Sequence, residues 1–430
     1  MTELFPAHAL AMLTSEQKSG WFESLIAAHK PGGPLERSFY KSPAIFEREM
    51  EQIFLRHWLF VDHVSRIPKP GDYFLYEIGG ESIIFVRGED QRIRAFFNVC
   101  RHRGSRICLE EQGSRKRLVC PYHAWVYNLD GALSHTRHHM ADDFRCSDYG
   151  LKPAYVRVVE GMIFAYLGEN STSDFDRMAL EIQPFLKPHG WPEAKICKRL
   201  RTLIHANWKL VAENSMECYH CGPAHPEFSA VMSYVGALDS KRMAEEREQL
   251  TRQWEKQCTA IGHKVGQVDD PAGRWWTVHR LPIQEGYLTQ AKSGKPVAPL
   301  MGTYKNYDGG ITGLQIYPMS FMVASSDHAY LNRFTPIDAD HTELEAIWLV
   351  RADAEGGRDY DPDQVSWLWR VTGEADVRIC EDNQKGVNSR RYEPGRYSLI
   401  EQNAHKFIQR YLHQLQHGVR YEEGDFTERH

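Results

Sequence analysis

Two short pairs, Cys100-Arg-His102 and Cys120-Pro-Tyr-His123, constrain this chain more than any other feature. Seventeen residues separate them. Together they offer two thiolates and two imidazoles, the donor set of a Rieske [2Fe–2S] centre, in which the thiolates hold one iron and the imidazoles the other. Zinc also accepts two Cys and two His, but its structural sites usually pair Cys with Cys and His with His, whereas here each arm supplies one of each. Gly104 relaxes the first loop and Pro121 stiffens the second. A chain with this donor set handles single electrons.

At 430 residues, with 42% hydrophobic and 25% charged residues, the chain can bury a large core and form two or more lobes. A net charge of -5 gives no global attraction for nucleic acid. Nine cysteines at irregular spacings do not suggest a disulfide framework, and a cluster that needs free thiolates points to a reducing, cytoplasmic location. Cys108, Cys146, Cys197, Cys218, Cys221, Cys258 and Cys380 are left over, most of them expected to be small buried hydrophobes. No apolar run approaches the length of a membrane span, and the segment Met1 to Lys18 has no basic region followed by an apolar stretch.

From Pro68 onward the pattern turns to short strands, Tyr73 to Ile78, Ser82 to Arg87 and Ile93 to Asn98, separated by a Gly79-Gly80 turn and a Gly88 turn. These predict an antiparallel β domain over 43–160, opened by a helical approach from Pro43 to Trp58 and preceded by a helical segment over 1–42. Both ligand pairs fall on its loops. Further on, helices are expected over Asn207 to Cys221, over Asp239 to Gln257 with Asp239 as N-cap, over Asp363 to Asn383 and over Leu399 to Leu415. The Asp239 helix is charged enough to be a solvated excursion. Strands are expected between Gly313 and Val350.

Electrons need a place to be used. Glu213-Asn-Ser-Met-Glu217-Cys-Tyr-His220-Cys-Gly-Pro-Ala-His225 offers two histidines five apart. An unbroken helix would set their rings about 140° apart, but a break at Gly222-Pro223 can fold His225 back toward His220. Two imidazoles and a carboxylate would then form a facial triad with positions open for oxygen and substrate. The alternative is a helix-capping His220 and a loop His225 with no shared task.

The chain resembles the α subunit of Rieske non-haem iron oxygenases over nearly its whole length: Cys-x-His…Cys-x-x-His, then Asn-Trp-Lys…Glu-Asn…Glu-Cys-Tyr-His-x4-His, then an acidic C-terminal helix. The resemblance implies an α+β fold in which an antiparallel β Rieske [2Fe–2S] domain joins a helix-grip catalytic domain, a curved antiparallel sheet with helices, over 161–430. It implies Cys100, His102, Cys120 and His123 as cluster ligands, and a mononuclear non-haem Fe(II) on His220, His225 and Asp376. Asp376 stands ahead of Gln384-Lys-Gly386, with Glu374, Glu381 and Asp382 as competing carboxylates expected to face solvent. Glu217 would link His220 to the partner subunit's His123 in a head-to-tail homotrimer.

Within the family, Asn-Gln-x-Gly-Val-Asn-Ser-Arg-x-Tyr-Glu-Pro-Gly-x-Tyr-Ser and Glu217-Cys-Tyr-His-Cys look most like the branch that oxidises N-methyl groups of betaines. A quaternary ammonium needs ring faces, and the candidates are Trp275, Trp276, Tyr287, Tyr304, Tyr307 and Tyr317. Hydroxylation of an aromatic ring, and an electron carrier with a vestigial iron site, are the alternatives. The chain shows no Gly-x-Gly-x-x-Gly nucleotide fingerprint after a strand, so an NAD(P)H-dependent flavin and iron–sulfur reductase, directly or through a ferredoxin, must feed it. Arg101, Arg103, Arg106, Arg115, Lys116 and Arg117 form a local basic concentration that suits an acidic reductase, or is simply solvated loop.

Overall fold

The structure, a computed structural model, describes residues 15–169, 174–232, 235, 240–268 and 274–419. The described residues divide into two units, one lying within Phe54–Thr172 and the other within Met1–Ile53 and Ser173–Asp425.

The Phe54–Thr172 unit holds an antiparallel sheet built from β1 (Leu59–His63), β2 (Asp72–Ile78), β3 (Glu81–Arg87), β4 (Ile93–Phe97), β5 (Gln112–Ser114), β9 (Pro153–Val159) and β10 (Met162–Tyr166). Their order is β1-β10-β9-β4-β3-β2-β5. A smaller sheet joins β6 (Leu118–Val119), β7 (Val126–Tyr127) and β8 (Leu133–His135). Gly79 and Gly80 both take positive φ, 58° and 82°, which is what a two-residue hairpin between Ile78 and Glu81 demands. The three strands expected between Tyr73 and Asn98 are present with their ends shifted by one residue.

Both expected ends of the iron–sulfur domain move. Glu160-Gly161, taken as its close, is a second two-residue hairpin turn with φ of 46° and 75°, and it leads into β10, which is buried along its whole length between β1 and β9. At the other end, the helix Pro43–Gln52 belongs with the larger unit. Its Glu49 is fully buried and accepts hydrogen bonds from Trp208 Nε1, Lys209 Nζ and Tyr411 Oη, each at 2.6 Å. A carboxylate out of water needs such partners, and they lie far along the sequence.

The larger unit is built on an antiparallel sheet of β11 (Lys195–Ile204), β12 (Gly266–Val268), β13 (Trp276–Pro282), β14 (Gly310–Ile316), β15 (Ser320–Ala324), β16 (Ala329–Pro336) and β17 (Thr342–Val350). Strands β12 to β17 follow one another as a meander, and β11 pairs with β17 at the far edge. The helices Trp208–Ser215 and Pro362–Val387 pack on each other, the latter also against β11, with Gln402–His417 against the former. The expected N-cap Asp239 lies outside the described residues; the helix is Lys241–Ala260, capped by Ser240, whose Oγ accepts from Met243 N–H. It is not wholly a solvated excursion, because Trp254 and Cys258 are buried and Trp254 Nε1 donates to the Asp308 carbonyl at 2.6 Å. No described helix is long and apolar enough to cross a membrane.

Candidate metal centres

The two Cys–His arms turn out to be one turn used twice. In each loop the Cys N–H donates to the carbonyl five residues on, Cys100 to Ser105 at 2.8 Å and Cys120 to Trp125 at 2.9 Å. Each Cys carbonyl accepts from the N–H four residues on, Gly104 at 2.9 Å and Ala124 at 3.0 Å. That fourth residue is left-handed in both, with φ of 78° at Gly104 and 56° at Ala124. Glycine adopts this freely, whereas alanine there costs roughly 1–2 kcal/mol, a strain held in place by the surrounding ladder.

The turns bury both thiols and bring His102 Nδ1 to 3.2 Å from His123 Nδ1, with ring centroids 4.6 Å apart. His102 stacks on Trp125 at 4.8 Å. Tyr127 Oη accepts the Arg101 N–H at 3.0 Å and lies 3.3 Å from Cys100 Sγ, so its own proton is available to that sulfur. Burial pushes the Cys100 thiol up, so it stays neutral unless a cation takes the proton's place. Two facing imidazole nitrogens beside two buried thiols fit a bridged iron pair.

In the larger unit, Asn207 caps the helix Trp208–Ser215 by accepting from Lys209 N–H at 3.0 Å, and its own N–H donates to Gln384 Oε1 at 2.8 Å. Gln384 and Asp376 share a stripe of the helix Pro362–Val387 with Leu368, Thr372 and Cys380, so the cap bond fixes the register between the two helices. His220 follows the first helix and precedes the short turn Cys221–Ala224. The chain then breaks at His225 rather than at Gly222-Pro223. Pro223 sits in a first turn that needs no N–H from it, whereas Pro226 pushes the preceding His225 out of the helical region, to φ -130° and ψ 72°.

That bend aims His225 Nε2 at Asp376 Oδ1, 2.9 Å away, while His220 Nε2 lies 3.3 Å from the same oxygen. Ligand atoms of His220, His225 and Asp376 all fall within 4.8 Å of one another. The competing carboxylates are engaged elsewhere: Glu374 pairs with Arg370 and Asp382 with Lys385, while Glu381 accepts the His205 N–H. Glu217 Oε1 lies 2.5 Å from His220 Nδ1, and its other oxygen accepts the Tyr219 N–H. Burial opposes charge on His220, but Asp376 and Glu217 outweigh it and raise the imidazole to about 9. Burial likewise opposes charge on Asp376, yet hydrogen bonds from the two histidines hold it below the usual carboxylate range. His225 Nδ1 is buried with no hydrogen-bond partner among the described residues. This constellation of opposed charge fits a divalent cation held by two imidazoles and a carboxylate. Asn214, which sequence reasoning passed over, reaches both His220 Nε2 at 3.2 Å and Asp376 Oδ1 at 3.3 Å.

A cavity of about 410 Å³ opens onto these side chains. None of Trp275, Trp276, Tyr287, Tyr304, Tyr307 and Tyr317 lines it. Trp275 and Trp276 turn their indole N–H groups to Asp174 and Glu181, Tyr304 packs on His189 and His263, and Tyr317 on Phe407. Tyr307 donates to the Ala298 carbonyl, and Tyr287 covers Gly294. The aromatic lining comes instead from Phe228, Phe321, Tyr330, Phe334 and Trp369, of which all but Phe334 form one connected wall. Tyr330 and Trp369 stack at 5.1 Å, with Phe321 5.4 Å and Phe228 5.6 Å from Trp369. Phe228 alone carried a local signal, three residues after His225 and on the same turn. Glu217 and Asp376 line the cavity, and among its described lining residues there is no Lys or Arg.

Residues 57–149 match the Rieske [2Fe-2S] domain, and residues 185–417 match the ring hydroxylating alpha subunit (catalytic domain). The chain is 37% identical over 369 residues to the glycine betaine monooxygenase oxygenase subunit of Chromohalobacter salexigens, covering 85% of this chain and 81% of that protein. It is 28% identical to the carnitine monooxygenase oxygenase subunit of Escherichia coli K12, over 86% of this chain and 88% of that one. Among solved structures, a quaternary ammonium Rieske monooxygenase superposes with a TM-score of 0.69 at 26% identity, covering 92% and 98% of the two chains. The chain belongs to the α subunits of the Rieske ring-hydroxylating oxygenases, a family that carries a Rieske [2Fe–2S] centre and a mononuclear iron.

Proposed function

We propose that this oxygenase component removes an N-methyl group oxidatively from a betaine or a related quaternary amine. The observation that carries this reading is the wall of Phe228, Phe321, Tyr330 and Trp369 beside two carboxylates, in a cavity with no Lys or Arg among its described lining residues. A quaternary ammonium cannot donate hydrogen bonds; it is held by ring faces within about 6 Å, at roughly 0.5–2 kcal/mol each, and by nearby negative charge. The relatives named above for glycine betaine and carnitine point the same way.

In this reading Cys100, His102, Cys120 and His123 hold the cluster, and His220, His225 and Asp376 hold the iron. When bound, these groups supply single-electron transfer and oxygen activation. The aromatic wall fixes the cationic head so that one methyl faces His220 and His225, and the same wall excludes water. Glu217 holds His220 by its Nδ1, so that Nε2, on the side of Asp376, is the nitrogen that would hold the metal. In the assembled enzyme, a homotrimer on this proposal, Glu217 also reaches the partner subunit's His123. The balance is R–N⁺(CH₃)₃ + O₂ + 2e⁻ + 2H⁺ giving R–N⁺(CH₃)₂CH₂OH + H₂O; the carbinol then releases formaldehyde and a proton. The two electrons come from NAD(P)H through a cytoplasmic reductase. Arg115, Lys116 and Arg117 precede Cys120 by three to five residues in the chain and are exposed, while Arg106 is engaged with Glu77 at 3.0 Å. The exposed apolar side chains Val99, Leu109, Val119 and Tyr122 belong to the same unit, which suits a docking face of mixed character.

Oxygen uptake and formaldehyde release, measured with a surrogate reductase across glycine betaine, proline betaine, carnitine and aromatic acids, test the reading. Formaldehyde matching oxygen consumed with a quaternary amine is expected. Turnover of aromatic acids alone, with no formaldehyde from any amine, would replace it with ring hydroxylation.

A further inference from the structure

Nine cysteines without a disulfide framework were expected, yet Cys218 and Cys221 are joined, while the other seven are free. The bond closes a ring of four residues that contains His220 and follows directly on Glu217. Their Cα atoms stand 4.9 Å apart, within the range a disulfide requires, and the Cys221 N–H donates to the Cys218 carbonyl at 3.2 Å. Cys221 reaches the second histidine too: its carbonyl accepts the His225 N–H at 3.0 Å and Ser229 Oγ at 3.3 Å. Both cysteines line the cavity. One covalent link therefore ties together the backbone that aims His220 and the backbone that aims His225.

We infer that Cys218 and Cys221 are a reversible dithiol–disulfide pair whose closed form holds His220 and His225 in register for the metal; this rests on the reading of His220, His225 and Asp376 as the mononuclear site. Disulfides in reducing compartments are usually transient and redox-responsive rather than structural staples, and a chain whose Cys100 and Cys120 serve a cluster as thiolates belongs in such a setting. Closing it needs an oxidant of the peroxide class. One thiol takes an oxygen from H₂O₂ to become a sulfenic acid with release of water, and the second thiol displaces the hydroxyl as a second water. Opening it needs a thiol reductant such as glutathione: one thiolate attacks the bond and forms a mixed disulfide, and a second attacks that mixed disulfide to release the protein thiol. Two protein thiols and one oxidised reductant result. Opening the ring removes the support behind two metal ligands at once, and losses of such support lower metal affinity by about 10–100-fold.

The test uses the full chain with its Rieske centre intact and the mononuclear iron removed. The protein is equilibrated anaerobically in glutathione buffers of graded ratio or with H₂O₂, its free thiols are blocked with N-ethylmaleimide, and the peptide spanning residues 218–221 is weighed. Fe(II) alone is then titrated into the oxidised and reduced samples. The expected result is an interconvertible pair, with Fe(II) bound about 10-fold more weakly in the dithiol state, and the Rieske absorbance unchanged once the cluster is brought to one oxidation state. A Cys218→Ser, Cys221→Ser variant should bind Fe(II) at the weaker value in either buffer; if it does not fold, the wild-type titration decides alone. The inference is overturned if both thiols stay labelled under every oxidising condition, or if the disulfide forms and Fe(II) affinity does not change. A His220→Ala control separates the two readings. Iron binding that survives it overturns the assignment of the site, whereas binding lost there but indifferent to the disulfide overturns only the redox pair.

Discussion

Replacing Glu49 by Gln should destabilise the larger unit far more than its distance from the cavity suggests. Glu49 and Lys209 are both fully buried, and the carboxylate also accepts from Trp208 and Tyr411. Lys209 Nζ is otherwise surrounded by rings, 5.1 Å from Trp208, 5.4 Å from Tyr411 and 6.0 Å from Tyr40. Gln preserves volume but leaves an ammonium in that cage without its counter-charge, and breaking a buried pair from one side costs about 3–5 kcal/mol. For a unit this large, roughly 2 °C per kcal/mol gives a fall in melting temperature of about 6–10 °C. The double replacement Glu49→Met, Lys209→Met removes the stranded charge and should recover about half of the loss, the rest reflecting the two donors left on Trp208 and Tyr411. Calorimetry of the purified variants measures this. A Glu49→Gln protein melting within 1 °C of wild type (about 0.5 kcal/mol) would refute the reasoning, as would a double variant less stable than the single.

Three further outcomes follow from the same geometry. Burial raises Glu213 to about 7, against hydrogen bonds from Tyr397 and Tyr40, from a usual value of 4.5. Its contribution is therefore complete below 4.5 and lost as pH rises through about 7, roughly 3 kcal/mol in all; urea midpoints from pH 5 to pH 8 should show this fall, and in Glu213→Gln it should vanish. Glu217→Gln should leave reduction of the cluster fast but slow single-turnover substrate oxidation severely, and unchanged electron delivery in stopped-flow traces would rule out bridging. Reversing Arg115, Lys116 and Arg117 to Glu should slow NAD(P)H-driven cluster reduction and flatten its salt dependence while sparing reduction by dithionite; a wild-type rate and salt profile would place docking elsewhere.

The proposed metal ligands were legible because their chemistry is written in short spacings: Cys-x-His, Cys-x-x-His and His-x4-His each lie within a few residues. Asp376 was legible only through the family resemblance, which sets an Asp ahead of Gln384-Lys-Gly386, and the structure supplies a physical counterpart, since Gln384 accepts the Asn207 N–H and so locks the helix of Asp376 to the segment leading to His220. The aromatic wall was not legible. Phe228, Phe321, Tyr330 and Trp369 come from two helices and two strands, and nothing local distinguishes them from the six aromatics that turned out to be packed elsewhere. Strand β11 escaped notice because Lys195, Lys198, Arg199 and Arg201 interrupt its apolar pattern, as charged residues do on an edge strand. The unit to which the helix Pro43–Gln52 belongs is not legible locally, because the partners of Glu49 stand at 208, 209 and 411.

Iron content together with the visible spectrum tests the central claim most directly. Wild-type protein, reconstituted anaerobically, should hold about three irons per chain, two in the Rieske centre and one in the second site. His220→Ala and Asp376→Ala should each hold about two, lose turnover and keep the Rieske spectrum, while Cys100→Ala or His123→Ala should bleach it. An Asp376→Ala protein that retained its third iron and full activity would contradict the account.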